Sequence, residues 1–306
     1  MLIDTSASWG RRGRRWVGLA AVAAVTVAGC TTAPEEPGGD GRLRVIATVY
    51  PLADAAERIG GPQVDVRNLT PAGAEAHDLE LSSRQVDDLE DADVVLFVGG
   101  GFQPAVEAAV EGRTGGTVDV TDGLDLAPGE GATDPHFWLD PTLLATVAAS
   151  VGSAMVAADP DGRAELDSNL ATYRADLEAL DRRFATGLAD CERREIVTTH
   201  AAFSYLAARY DLVQRPITGL SPESEPEPGR LAELRDLIAR EGITTVFTEE
   251  LLSPDLARTL AREAGVRTAT LDPLEGLTPD RSEAAADYFT VMDDNLAALR
   301  AALGCR

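Results

Sequence analysis

Short apolar runs alternate with helix-like patterns along residues 43–303, and that alternation does most to restrict the fold. Strands are expected over 43–49, 64–69, 93–98 and 117–120, separated by helical patterns over 52–59, 82–89 and 103–110. The rhythm restarts later, with strands over 195–199, 212–217, 244–248 and 266–271 and helices over 201–210, 230–240, 254–264 and 279–303. Such alternation implies parallel sheets covered by helices on both faces. Between the two blocks lie a helix over 141–158, the breaker Asp159-Pro160-Asp161-Gly162 and a second helical stretch over 163–188. In that stretch Leu166, Leu170, Tyr173, Leu177, Leu180 and Phe184 recur at spacings of three and four, one apolar face of a helix. At 1.5 Å per residue it would run nearly 40 Å, a length suited to a strut between domains. The expected fold is therefore α/β: two parallel-sheet lobes, 43–158 and 190–306, joined by one long helix within 159–189.

The N-terminus reads as an export leader over residues 1–29. Arg11, Arg12, Arg14 and Arg15 precede an apolar run over 17–28, too short for a bilayer span of about 20 residues. The run ends in Thr-Val-Ala-Gly-Cys, which resembles a bacterial lipobox. That resemblance implies a diacylated Cys30 anchored to the outer face of the cytoplasmic membrane. Residues 30–42 have the Pro, Gly and charge of a flexible tether. No second apolar span is expected. Of the three cysteines, Cys191 and Cys305 remain, and outside the cytoplasm such a pair usually means a disulfide. Two free thiols serving as metal ligands are the alternative, although neither lies near a histidine.

Formal charge is −24, and residues 1–29 hold four arginines and one aspartate, which leaves −27 on the remainder. The sequence contains no lysine. Such a chain repels nucleic acid and gathers cations around itself.

The three histidines all follow strands or the loops that close them. His77 comes after the strand over 64–69, His136 after the loop beyond Val120, and His200 directly after Ile196-Val197-Thr198-Thr199. Ligands of open parallel sheets bind at the carboxyl ends of strands, and neutral imidazole is the commonest protein ligand for zinc. Asp272 directly follows Thr268-Ala269-Thr270-Leu271 and offers a carboxylate by the same rule, with Glu249 in Thr-Glu-Glu as its competitor. Two ligands from each half place the site in a cleft between lobes.

Three motifs carry a wider resemblance: Asp134-Pro135-His136-Phe137-Trp138-Leu139-Asp140-Pro141, His200-Ala201-Ala202-Phe203-Ser204-Tyr205-Leu206, and Leu271-Asp272-Pro273-Leu274. Together with the lipobox and the strut helix, they make the chain similar to the extracytoplasmic zinc- and manganese-binding lipoproteins of ABC importers, the cluster A-I (TroA-like or ZnuA-like) family. The resemblance implies a monomer whose His77, His136, His200 and Asp272 bind a divalent metal for delivery to a membrane permease. In members that bind manganese, a glutamate commonly replaces the third histidine. Three imidazoles and one carboxylate suit zinc, so Zn2+ is the expected cargo and Mn2+ the alternative. A histidine-rich loop found in many zinc-specific relatives has no counterpart here, because residues 125–133 contain no histidine.

Other classes fit less well. A zinc hydrolase using Glu80 as general base would need an open coordination position, and no His-Glu-x-x-His motif occurs. No catalytic residue is expected. A metal-dependent adhesin of the same fold has no receptor motif to support it. Gly99-Gly100-Gly101 lacks the spacing of a dinucleotide-binding loop.

Overall fold

The computed structural model describes residues 41–306 apart from Asp78 and residues 127–132, and Gly41–Arg306 packs as one compact unit. The leader, Cys30 and residues 31–40 of the tether lie outside the described residues, as does most of the histidine-free stretch 125–133.

Two parallel four-stranded sheets form two lobes. The first sheet holds β1 (Leu43–Ala47), β2 (Val64–Asn68), β3 (Val94–Phe97) and β4 (Gly116–Asp119) in the order β2-β1-β3-β4. The second holds β5 (Glu195–Thr198), β6 (Val213–Pro216), β7 (Thr245–Thr248) and β8 (Arg267–Thr270) in the order β6-β5-β7-β8. In each sheet the chain reverses direction of travel after its second strand, so β1/β3 and β5/β7 are the switch points where a crevice opens at the carboxyl ends. The inner strands of the first sheet are apolar where helices cover both faces: Val45, Ile46, Ala47, Val94, Val95 and Leu96 are all buried.

Helices α1 (Tyr50–Gly60), α2 (Ser83–Asp91) and α3 (Pro104–Val110) connect the first sheet. Ser82 starts α2 through a capping box with Gln85, and Asp140 starts α4 (Pro141–Ala158) by accepting from Thr142 N, with Pro141 at the first position. Helix α4 is long and apolar enough to cross a membrane, contrary to the expectation of no second such run. Its Leu144, Val147, Val151 and Met155 are instead buried against α1 and α5 (Arg163–Gly187), which makes it a core helix. Gly152 lets α4 and α5 approach closely, since a Cβ there would lie 2.9 Å from Leu170 Cδ2. The expected apolar face of α5 holds, with Leu166, Tyr173, Leu177, Leu180 and Phe184 buried along its 25 residues.

In the second lobe α6 (Ser204–Arg209), α7 (Arg230–Glu241) and α8 (Asp255–Ala264) cover the sheet. Helix α6 begins later than the pattern suggests because the chain first turns, with Ala201 N donating to Gly219 O. The expected single helix over 279–303 is two, α9 (Pro279–Glu283) and α10 (Tyr288–Leu303). Thr278 caps the first and Asp287 the second, and Ala285 between them takes φ 52°. Two start signals in one run make two helices. Helix α10 also packs on α5. The structure joins Cys191 to Cys305 in a disulfide, the pairing expected from export.

Candidate metal centre

Each histidine is held by a different local device. His77 sits in the loop after β2, where Gly73 N donates to Leu277 O and Gln103 Nε2 donates to Ala76 O. Gly73 has φ 84°, and a Cβ there would also crowd Pro279, so this docking of the loop on the second lobe needs glycine. Phe102 packs edge-on to the His77 ring. His136 precedes a 3-10 turn over Phe137–Leu139 whose three side chains are fully buried. Its Nδ1 lies 2.8 Å from Asp134 Oδ1, and its backbone N donates to the same oxygen. His200 follows β5; its Nδ1 lies 2.9 Å from Glu249 Oε1 and its backbone N donates there too. Glu249 directly follows β7, so residues at the β5/β7 switch point clamp this ring.

The fourth group is Glu275, not Asp272. Asp272 Oδ1 accepts from Leu274 N, while its backbone N and O pair with the Asn295 side chain. This turn holds Leu274 at φ 60°, a left-handed conformation that a bulky residue rarely adopts. The next side chain, Glu275, is thereby aimed back over the strand ends. Trp138 Nε1 donates to Pro273 O and Tyr288 Oη donates to Trp138 O, fixing the turn against the His136 segment. Glu249, the competing carboxylate, faces Nδ1 of His200 and lies outside the group. Glu80 is exposed and lies outside it as well.

One ligand atom each from His77, His136, His200 and Glu275 lies within 4.8 Å of all the others. Glu275 Oε1 stands 3.0 Å from His136 Nε2, 3.2 Å from His200 Nε2 and 3.7 Å from His77 Nε2. Ligands at zinc distances of 2.0–2.1 Å in a tetrahedron are about 3.3 Å apart. Nε2 of His77 and of His200 are buried without a hydrogen bond. Buried polar atoms lacking partners are costly, and a cation among them removes the cost. His136, His200 and Glu275 are fully enclosed, and the His77 side chain keeps 12% exposure.

Electrostatics agree with a cation site. Burial works against charge on His200, but Glu249 and Glu275 outweigh it and raise the ring's pKa to about 10. Burial opposes charge on His136 too, and Asp134 and Glu275 again shift it upward. Burial would raise Glu275, yet the three imidazoles and Glu75 hold it well below the usual carboxylate range. Glu75, desolvated and facing Glu275, is pushed up to about 9.

Residues 45–302 match the family model described as zinc-uptake complex component A, periplasmic. The chain belongs to this family. It is 34% identical over 300 residues to the zinc-binding lipoprotein AdcA of Streptococcus pneumoniae, covering 92% of this chain and 59% of that protein. The chain thus spans well under two thirds of that relative. It is 31% identical to the high-affinity zinc uptake system protein ZnuA of Bacillus subtilis, covering 95% of this chain and 98% of that protein. The crystal structure of the Zn(II)-bound ZnuA-like domain of S. pneumoniae AdcA superposes with a TM-score of 0.77 at 35% identity, covering 86% of this chain and 99% of that one. The family is that of a metal-uptake component rather than of an enzyme, and its two-lobe fold is the one expected from the sequence.

Proposed function

We propose that this chain captures zinc outside the cytoplasm and delivers it to an ABC permease. The ligands in this reading are Nε2 of His77, His136 and His200 and a carboxylate oxygen of Glu275. The observation that carries it is the convergence of three imidazole nitrogens on Glu275 Oε1 at 3.0–3.7 Å, near the edge length of a zinc tetrahedron, with two of the nitrogens buried and without hydrogen bonds. The names of the relatives support zinc over manganese. Lipid on Cys30 and the tether would keep a monomer near the permease, with lobes over 43–158 and 190–306 either side of the strut within 159–189.

Metal analysis of protein purified without added metal tests the reading. About one zinc per chain is expected. Glu275→Gln should weaken zinc binding by more than the roughly 10–100-fold typical of outer-shell partners, whereas Asp272→Asn should leave it within about twofold. Equal losses in the two variants would reject Glu275 as the fourth ligand.

A further inference from the structure

The carboxylate that orients His136 is itself held from the opposite lobe. Asp134 lies in the connection from β4 to α4, and its Oδ1 faces Nδ1 and the backbone N of His136. Its other oxygen, Oδ2, accepts a hydrogen bond from Ser204 Oγ, in the first turn of α6. Its backbone oxygen accepts from the Tyr205 hydroxyl at 3.0 Å. Ser204 and Tyr205 follow His200 on the same short segment, and His200 O is fixed by Thr198 Oγ1 and Gln214 Nε2. A path free of any metal therefore runs from His200 through α6 and Asp134 to His136.

Burial separates the two ends of that path. Asp134 is 3% exposed, so an oxygen left without a donor there is expensive. Ser204 is less buried and borders a cavity of about 930 Å³ whose wall also includes Asp134, Ala201 and Gln214. The serine is small and faces a cavity, so its contribution lies in the hydroxyl rather than in filling space.

We propose that Ser204 is a positioning residue for the metal centre: acting through Asp134, it holds the His136 ring from the second lobe and keeps two nitrogen ligands from opposite lobes in register before the metal arrives. This rests on the reading of the site as a zinc centre. Outer-shell partners of ligating histidines fix tautomer and ring orientation, and their loss typically lowers affinity 10–100-fold. Ser204 acts one step further out, so a smaller effect is expected.

The test compares wild type, Ser204→Ala, Ser204→Thr, Asp134→Ala and the double variant Asp134→Ala/Ser204→Ala in the mature chain. Zn2+ affinity is measured by competition with a chromophoric chelator, and Co2+ loading by the visible absorption of the tetrahedral ion. Ser204→Ala should weaken Zn2+ binding about five- to tenfold and alter the cobalt band, while Ser204→Thr keeps the hydroxyl and should stay within about twofold of wild type. In the Asp134→Ala background the serine substitution should add almost nothing, because its effect passes through that carboxylate. A serine that only satisfies a buried carboxylate would lower thermal stability and leave zinc affinity and the cobalt spectrum unchanged; that result overturns the proposal. So does an equal loss from Ser204→Ala with and without Asp134. If the wild type binds neither Zn2+ nor Co2+, the zinc reading itself falls and takes this proposal with it.

Discussion

Asp272 and Glu275 are three residues apart, and the difference between them comes from one turn. The Asp-Pro pair directly after a strand signals that the chain bends there, and a short aspartate at such a bend tends to bond its own backbone two residues on. The same cue that made Asp272 a candidate therefore also explains its use as a turn acceptor, with Leu274 forced left-handed and Glu275 swung into the cleft. The three histidines stand out in the sequence because the residue is rare in this chain and each follows a strand or the loop that closes one, and the structure brings them together. The carboxylates do not stand out, because 51 acidic residues give many candidates and only the turn selects among them. His200→Glu exchanges a nitrogen ligand for an anionic oxygen, so it should lower zinc affinity more than manganese affinity in competitive titration; an unchanged ratio would remove His200 as selector. The ring of His200, held at about 10, is protonated near neutrality and must lose its Nε2 proton to a metal. Zinc binding should thus release protons and weaken about tenfold per pH unit for each proton released as pH falls. Calorimetry in buffers of different ionisation enthalpy would read this, and identical heats in all buffers would contradict it.

Secondary elements were read with errors of a residue or two where apolar periodicity was strong. The helix at Pro141–Ala158 matches closely because Asp140 and Pro141 mark its start, and the one at Arg163–Gly187 because a breaker precedes it and a long apolar face runs along it. The expected helix over 279–303 failed because Ser282, Glu283, Ala284, Ala285 and Ala286 carry good helix formers but little to bury, and Asp287 offers a fresh cap. Burial was the missing information there, as it was for α4, whose composition alone would fit a lipid bilayer. The Cys191–Cys305 bridge ties the start of β5's approach to the end of α10 across 114 residues. On loop-entropy grounds, reduction should cost about 4–5 kcal/mol, an upper bound if the reduced chain retains structure. Denaturant unfolding of oxidised protein and of the Cys191→Ser/Cys305→Ser variant would measure it, and coincident midpoints would show the bridge to be thermodynamically idle.

On the scale of the whole molecule, the two lobes share one strand order and face each other across three imidazoles and a carboxylate. Among the described residues, each lobe contributes two of the four clustered groups. A lipid on Cys30 would confine this acidic body to the membrane surface, so Cys30→Ala should release it into the soluble fraction on washing; persistence in the membrane fraction would refute the anchor. The last helix adds a constraint in time. Asn295 braces the backbone of Asp272 and Tyr288 braces Trp138, both from α10 and both behind the turn that aims Glu275. A chain threaded through a translocation pore N-terminus first presents its three histidines long before these two residues emerge. In a chain exported that way, the cluster of three histidines and Glu275 should stay unset in transit and close only once the final turns have crossed.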